Sequence, residues 1–260
     1  MGKYQNVLPP THKRCKCTTF VSSDDLQIRR LKDKLIDVVI PAFNEEDSIG
    51  NVISDIPKDL VREIIVCNNG STDGTRERAH SMGVTVLDQP LKGYGNACLK
   101  GLEHIQNKEV KPDLVVFLDG DYSDYPDQMN EVVAPIIKDG YEMVIGSRAL
   151  GKMEKGAMLP QQVFGNWLAT TLIRLIYGYE FTDLGPFRAI TYQGLRELSM
   201  QDKDFGWTVE MQVKAAKQKL KCTEVPVKYR KRIGKSKVSG TIKGTILAGH
   251  KILWTIFKLI

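Results

Sequence analysis

The chain has 260 residues, of which 42% are hydrophobic and 26% charged, a composition typical of a soluble globular protein with one or two domains. The net charge of +6 is unevenly distributed: residues 1–34 carry 8 Lys and Arg against 3 Asp and Glu, residues 217–260 carry 12 against 1, and the segment between them carries 17 against 27. No run reaches about 18 apolar residues, so we expect no transmembrane helix. Because the N-terminal region lacks an apolar core segment, we also expect no signal peptide.

Basic ends around an acidic body suit a partner that carries phosphate: an anionic lipid, a phosphorylated substrate or nucleic acid. Nucleic acid is the weakest of these, because aromatic residues are not interleaved with the basic residues of the N-terminal arm. The odd count of five cysteines indicates a reducing compartment. Cys15 and Cys17 lie near His12, but no second ligand pair at zinc spacing follows, so we interpret residues 1–34 as a flexible basic arm.

From residue 35 onward, short apolar runs alternate with helical patterns. Strands are predicted at residues 36–40, 64–67, 84–87, 115–118 and 143–145, and helices are predicted to begin near residues 44, 75, 92 and 126. This alternation is typical of an α/β fold with a parallel, doubly wound sheet. Ligands of such sheets lie beyond the carboxyl ends of the strands, where residues 41–46, 68–73, 119–125 and 146–148 form polar loops.

After Arg148 the alternation weakens. A mostly apolar helix is predicted over residues 163–177, a short strand after residues 182–188, a helix that follows residues 205–210 and runs through Lys219, and a strand over residues 222–229. Residues 242–260 are amphipathic at 100° per residue, with Ile246, Ile256 and Phe257 on one side and lysines on the other. This helix either packs on its own domain or lies in a membrane interface.

The most informative stretch is Asp119-Gly120-Asp121, which directly follows the buried strand at residues 115–118. Two carboxylates one residue apart can bring their oxygens to one point, and Mg²⁺ is often held by one or two carboxylates together with substrate phosphates. The pair therefore predicts a metal site that holds a nucleoside diphosphate. An isolated Asp-Gly-Asp could also be a solvated turn, so the assignment depends on other motifs.

Four motifs in order resemble family 2 glycosyltransferases: Pro41-Ala42-Phe43-Asn44-Glu45, residues 69–74, Asp119-Gly120-Asp121 and Gly146-Ser147-Arg148. The resemblance to the branch that makes dolichyl- or polyprenyl-phosphate sugars extends through residues 182–188 and 234–237. It implies a single nucleotide-sugar-binding domain of the GT-A, Rossmann-like type over residues 35–238, with a mostly parallel sheet. Residues 239–260 would then form the amphipathic helix.

The resemblance also implies roles for individual residues. The nucleotide sugar would be bound by Pro41, Phe43, Glu45, Asn69 and Asp119, and Mg²⁺ or Mn²⁺ by Asp119 and Asp121. We expect the acceptor phosphate to meet basic residues, namely Arg148, Arg188, Arg232 and Lys235. The candidate catalytic residues are Asp121, Arg148 and Glu210.

The chain departs from its relatives at three places. Many relatives have two aspartates where this chain has Asn68 and Asn69, and an amide matches the adjacent donor and acceptor of uracil, which favours UDP slightly over GDP. Ser123 stands where relatives often place Gln, which leaves the third metal ligand open. Mannose-transferring relatives commonly carry a second Arg past the Gly-Ser-Arg motif, and this chain has Gln161 and Gln162 near that position. This difference argues against a phosphate acceptor.

Three functions follow as hypotheses. The first is an inverting, metal-dependent transfer of a hexose to a polyprenyl phosphate by an enzyme bound peripherally to the cytoplasmic face of a membrane. The second is transfer to a hydroxyl, which requires a general base, with Glu210 and Asp204 as candidates. The third is a non-catalytic nucleotide-sugar-binding or scaffold protein, which the intact Asp119, Asp121 and Arg148 disfavour. Because all nucleotide loops precede residue 150, we expect removal of residues 241–260 to spare donor binding.

Overall fold

The computed structural model describes residues 33–234 and 242–260, with side chains of the last segment from residue 246 onward. The predictions for most of the N-terminal arm, at residues 1–32, and for Lys235 lie outside the described residues. Lys34, at the end of the predicted arm, donates from its ammonium group to Asp113, 3.0 Å away.

One sheet of seven strands organises the described chain, in the order β3-β2-β1-β4-β6-β5-β7. Its strands are β1 (Ile36–Ala42), β2 (Glu63–Asn68), β3 (Thr85–Asp88), β4 (Leu114–Phe117), β5 (Met143–Ser147), β6 (Arg188–Thr191) and β7 (Cys222–Pro226). The pairs β1–β2, β1–β4, β2–β3 and β5–β7 are parallel. The predicted mostly parallel α/β fold is confirmed.

Helices cover both faces of the sheet. They are α1 (Glu46–Asp55), α2 (Thr75–Ser81), α3 (Tyr94–Asn107), α4 (Met129–Asp139), α5 (Pro160–Tyr177), α6 (Tyr192–Leu198), α7 (Trp207–Lys217) and α8 (Ile242–Lys258), with a 3₁₀ turn at Pro126–Gln128. Buried side chains of α1, α2 and α4 pack on one face of the sheet, and those of α3, α5, α6, α7 and α8 pack on the other. Helix α6 was not predicted from the sequence.

Strand β6 departs from the parallel pattern, because it is antiparallel to both β4 and β5. An antiparallel strand begins at the edge where its parallel neighbours end. The turn at residues 182–187 that precedes β6 therefore reaches the same edge as the loops that follow β1, β2, β4 and β5. The reversal adds one more polar turn to the edge at which a ligand of such a sheet binds.

Helix α8 packs on the domain, with Ile256 fully buried and Thr255 buried beside it. The sequence pattern placed the lysines of this helix opposite its apolar stripe, and one of them, Lys251, pairs with Asp202 of the domain. The exposed residues of α8 and the chain end after it include five large apolar side chains, Ile246, Leu247, Trp254, Phe257 and Ile260, together with His250 and Lys258. Among the helices that the structure describes, none combines the length and the apolar character that a membrane crossing requires.

Candidate active site

Two cavities open at the edge where the parallel strands end. The first has a volume of about 390 Å³, and its lining includes the predicted residues Pro41, Phe43, Glu45, Asn69, Asp119 and Asp121. The second has a volume of about 320 Å³ and lies between this edge and helices α5 and α8. Five residues line both cavities, namely Tyr94, Asp119, Asp121, Phe205 and Arg232. The cavities therefore meet at the carboxylate pair.

Asp119 and Asp121 carry their charges close together at this junction. The hydroxyl of Tyr94 donates to Asp119, 2.8 Å away. Burial and the negative charge of Asp121 raise the pKa of Asp119 to about 6. Asp121 is buried, accepts from the backbone N–H of Ser123 at 2.9 Å and lies 3.2 Å from the guanidinium of Arg232. A cation beside the pair would relieve the repulsion between the two carboxylates.

The loop that carries the pair is held from outside by Arg230. Tyr122 has a left-handed backbone with φ of 62°, which is uncommon for a residue other than glycine. Arg230 donates from Nε to the carbonyl of Tyr122 at 2.7 Å and from Nη2 to that of Asp124 at 3.0 Å. Its guanidinium also stacks on the Tyr122 ring, 3.4 Å from the centroid. These contacts fix the loop in a conformation that would otherwise be strained.

The loops after β1 and β2 are joined to each other by hydrogen bonds. The backbone N–H of Asn44 donates to the Ser71 hydroxyl at 3.0 Å, and the side chain of Asn44 accepts from the N–H of Thr72 at 2.8 Å. Glu45 receives a hydrogen bond from Arg232 at 2.9 Å. The ammonium group of Lys92 lies 4.7 Å from the centre of the Phe43 ring. The lining of the first cavity therefore combines the Phe43 ring with charged groups.

The side-chain amides of Asn68 and Asn69 are engaged within the protein. Asn69 donates to the carbonyls of Gln89 and Leu91 and accepts from the N–H of Gly93. Asn68 donates to Asp88 and accepts from the N–H of Ser71. Asn69 lines the first cavity, but its amide is held by these contacts, so the predicted direct pairing of this amide with uracil does not fit the arrangement.

Arg148 lines the second cavity and is held by Asp183. Its Nε and Nη2 donate to the two carboxylate oxygens of Asp183 at 2.8 and 2.7 Å, and its backbone N–H donates to the same carboxylate at 2.7 Å. The charge of Asp183 raises the pKa of Arg148 against the opposing effect of burial. The guanidinium lies 5.0 Å from the centre of the Tyr229 ring. A cation fixed in this way can orient a phosphate group.

Two predicted site residues line neither cavity. Arg188 is fully buried, and its guanidinium donates to the carbonyls of Leu184, Gly185 and Thr208. Glu210 is buried, accepts from the backbone N–H groups of Gln201 and Asp202 and pairs with Lys214 at 2.8 Å. The structure therefore corrects the expectation that Arg188 meets an acceptor phosphate and that Glu210 acts in catalysis, because both side chains hold backbone in place.

Three side chains that line the first cavity were not assigned to binding from the sequence: Tyr94 and Phe205 at the junction, and Lys92. Asp204, considered only as a base, also lines the first cavity. The signal that could have revealed them lies at Gly93 and Gly95, on either side of Tyr94. A Cβ at these positions would collide with the carbonyl oxygens of Lys203 and Asp202, so the two glycines mark a close approach of two loops.

The donor set at the junction fits a hard divalent cation. Within residues 33–234 and 246–260, no group of three or more His, Cys, Asp or Glu side chains could hold a metal. Asp119 and Asp121 would supply two carboxylate ligands, and phosphate oxygens and water would complete the coordination, as Mg²⁺ prefers. The pair of like charges, with the pKa of Asp119 raised, is what a bound cation would stabilise.

A sequence model described as glycosyl transferase family 2 matches residues 37–198. The chain belongs to this family. Glycosyltransferase AglJ of Haloferax volcanii is 34% identical over 197 residues, which cover 75% of this chain and 63% of that protein. The UDP-N-acetylglucosamine–dolichyl-phosphate N-acetylglucosaminyltransferase of Methanococcus voltae is 30% identical over 252 residues, which cover 88% of this chain and 97% of that protein.

The fold is also similar to that of glucosyl-3-phosphoglycerate synthase from Mycobacterium tuberculosis, solved with Mn²⁺, UDP-glucose and glycerol 3-phosphate. The TM-score is 0.71 at 22% identity, over 92% of this chain and 84% of that one. This likeness confirms the predicted GT-A-like fold. The family match and the relatives confirm the resemblance to family 2 and to its polyprenyl-phosphate branch, and the protein is a glycosyltransferase.

Proposed function

We propose that this family 2 glycosyltransferase moves a hexose from a UDP-sugar to a polyprenyl phosphate with the help of Mg²⁺ or Mn²⁺. The observation that carries the proposal is the pair of cavities that meet at Asp119, Asp121 and Arg232. A transferase with two substrates needs two binding sites whose reactive ends meet at one point. The first cavity would take the nucleotide sugar and the second would take the acceptor phosphate.

In the first cavity, the nucleoside would lie at the end lined by Pro41, Phe43 and Asn69, and the diphosphate would lie at the carboxylate pair. A divalent cation bound by Asp119 and Asp121 would neutralise the charge that develops on the leaving diphosphate. UDP is favoured because the relative in Methanococcus voltae is named for a UDP-sugar donor.

In the second cavity, Arg148 and Arg232 would bind the acceptor phosphate. The second pKa of a phosphate monoester is about 6, so at neutral pH the acceptor oxygen already carries negative charge. That oxygen would form a bond to the anomeric carbon while the bond from this carbon to the UDP oxygen breaks, and its electron pair would leave with UDP. No proton moves in this step, which agrees with the inward orientation of Glu210. Attack from the side away from UDP would invert the configuration.

The acceptor's lipid tail requires a membrane surface near the second cavity. Helix α5 exposes Val163, Phe164 and Trp167, and α8 exposes Ile246, Leu247, Trp254 and Phe257. Both helices line the second cavity, through Gln162, Gly165 and Asn166 of α5 and through Ala248, Gly249 and Ile252 of α8. Residues 217–260 also carry 12 basic residues against 1 acidic residue, which suits anionic headgroups. We therefore place the enzyme peripherally on the cytoplasmic face of a membrane.

The test is an assay with purified protein, Mn²⁺ and a panel of labelled UDP- and GDP-sugars, with and without a polyprenyl phosphate in detergent. The expected result is transfer of label from one UDP-sugar into the lipid fraction, and none when the lipid is omitted. Transfer of label to a lipid alcohol or to a water-soluble acceptor instead would reject the acceptor. Label that stays on the nucleotide with every lipid offered would reject the function.

A further inference from the structure

We propose that the loop of residues 201–206, named here the sugar loop, binds the sugar of the donor, and that Asp204 selects this sugar by accepting hydrogen bonds from its hydroxyls. This inference rests on the proposed function, because it names the residue that would recognise the sugar that the enzyme transfers. Asp204 lines the first cavity together with Asp119 and Asp121, and its neighbour Phe205 lines both cavities.

The position of the sugar follows from the ends of the donor. With the nucleoside at Phe43 and the diphosphate at the carboxylate pair, the sugar has to lie beyond Asp119 and Asp121, where the two cavities meet. The sugar loop lies at that junction, since Phe205 belongs to both linings. It presents an aromatic ring beside a carboxylate. A hexose offers apolar C–H faces and hydroxyl donors, and an ionised carboxylate accepts up to about four hydrogen bonds.

The sugar loop is held rigidly, as a selective site requires. The carboxylate of Asp202 accepts from the backbone N–H groups of Asp204 at 2.8 Å and Gly206 at 3.1 Å. Glu210 accepts from the N–H of Asp202 at 2.7 Å. On the other side, the N–H of Asn96 donates to the carbonyl of Lys203 at 3.0 Å. The inward-facing Glu210 thus fixes the backbone of the loop that carries Asp204.

The charge of Asp204 defines the kind of sugar that fits. Burial and the negative charge of Asp202 raise the pKa of Asp204, so its carboxylate is a stronger hydrogen-bond acceptor than an exposed one. Asp119 and Asp121 line the same cavity, and Arg232 is already paired with Glu45 and Asp121. A neutral hexose suits this surface, whereas a uronic acid would bring a further negative charge next to Asp204.

The experiment compares calorimetric affinities for UDP, UDP-glucose, UDP-N-acetylglucosamine, UDP-galactose and UDP-glucuronate, with Mn²⁺, in the wild type and in Asp204→Asn. The quantity compared is the ratio of the affinity for a UDP-sugar to the affinity for UDP. For the preferred neutral sugar, we expect this ratio to be about 10- to 100-fold lower in Asp204→Asn than in the wild type. Affinity for UDP itself should stay within about twofold, and UDP-glucuronate should bind relatively better than in the wild type.

The control is Glu109→Gln, which removes the charge of an exposed carboxylate before β4, at the opposite edge of the sheet, and should leave the affinity for every donor unchanged. Asp204→Ala provides a second variant, and because the backbone N–H of Asp204 makes the loop contact, both variants should fold, as thermal melts would show. An unchanged sugar preference in folded Asp204 variants would overturn the proposal. A second outcome would also overturn it: the variants bind every donor as the wild type does, but lose turnover and the acidic limb of the pH profile. This pattern would indicate that Asp204 is a general base. Affinities are measured without an acceptor, so a failure of lipid transfer leaves this test intact.

Discussion

Lys251 of helix α8 lies 2.8 Å from Asp202, and this ion pair joins the C-terminal helix to the sugar loop. The side chain of Asp202 is only 7% exposed, and it also accepts hydrogen bonds from the backbone of Asp204 and Gly206. The same helix lines the second cavity through Ala248 and Ile252. One helix therefore contacts both the sugar loop and the second cavity. The expectation that removal of residues 241–260 spares donor binding stays a prediction, and this ion pair argues against it for the sugar end of the donor.

The first prediction concerns this ion pair. Lys251→Met should weaken binding of the UDP-sugar by about three- to tenfold while leaving the affinity for UDP unchanged, because the sugar loop loses an anchor but the nucleoside end does not. The loss of stability should be about 1 kcal/mol, since the pair is partly exposed. Lys258→Met, at an exposed lysine of the same helix, is the control. Equal effects of the two variants on sugar affinity would argue against the anchor.

The second prediction concerns the metal. Asp121→Asn removes one of the two carboxylates that would hold the cation, so the affinity for Mn²⁺ should fall by at least tenfold and transfer should be abolished. The fold should survive, because an amide can keep the hydrogen bond from the N–H of Ser123. EDTA should stop the wild type in the same way. Full activity of the wild type in EDTA would exclude a metal-dependent mechanism.

The third prediction is a pH dependence of metal binding. Asp119 has its pKa raised from 3.8 to about 6 by burial and by the charge of Asp121. A metal ligand must be ionised, so the affinity for Mn²⁺ should fall about tenfold between pH 7 and pH 5. A raised carboxyl pKa has the opposite effect on the metal-free protein, because the folded state then binds more protons than the unfolded state between pH 4 and 6. This group should therefore stabilise the metal-free fold as the pH falls through that window. Calorimetric titrations and melts at several pH values would check both signs.

The fourth prediction concerns the support of Arg148. Asp183→Asn leaves the buried guanidinium without its counter-charge, so the free energy of unfolding should fall by about 2–4 kcal/mol. The KM for the lipid acceptor should rise more than the KM for the donor, because Arg148 lines the second cavity but not the first. Glu180→Gln is the matched control, since its pair with Arg174 is exposed and should contribute less than about 0.5 kcal/mol. Urea denaturation measures the first effect and initial rates measure the second.

The sequence predicted the parts of the site that follow from local pattern. Apolar runs ending in polar loops located the strand ends, and parallel strands must bring those ends to one edge, so Phe43, Asn69, Asp119 and Asp121 could be placed together in advance. Side-chain direction could not be predicted in the same way. Arg188 is the first residue of β6, and whether it faces the cavity or the core depends on the antiparallel register with Phe117, for which the sequence has no short hairpin signal.

Helix α8 shows a second limit. A period of 3.6 residues identifies an apolar stripe, but it does not tell which stripe packs against the domain when both sides carry apolar residues. Ile256 and Phe257 belong to one predicted stripe, yet Ile256 is fully buried and Phe257 is 51% exposed. The packing of the helix on the domain decides between them, and that packing depends on Lys251 and Thr255, which the stripe did not include.

The last prediction concerns the exposed apolar side chains of α5 and α8. Trp167 and Trp254 are 58% and 56% exposed, whereas Trp207, the third tryptophan of the chain, is 1% exposed. If both helices enter the interface of a bilayer, vesicles with anionic lipid should shift the fluorescence of the two exposed tryptophans to shorter wavelength and leave that of Trp207 unchanged. Trp167→Phe and Trp254→Phe, made singly, would assign the shift to each helix.

A double variant, Trp167→Ser with Phe257→Ser, tests the energetics of the same contact. Each side chain is about half exposed and should contribute roughly 1 kcal/mol on entering the interface, so vesicle affinity should fall about 10- to 30-fold. The folded protein should lose little stability, because neither side chain is buried within it. Transfer to a polyprenyl phosphate in vesicles should fall with affinity, while transfer to a short-chain, water-soluble prenyl phosphate should not. The apolar contact would be contradicted if this variant bound vesicles as well as the wild type and the wild type showed no fluorescence shift. Basic residues alone would then contact the lipid, and raised salt would abolish binding completely.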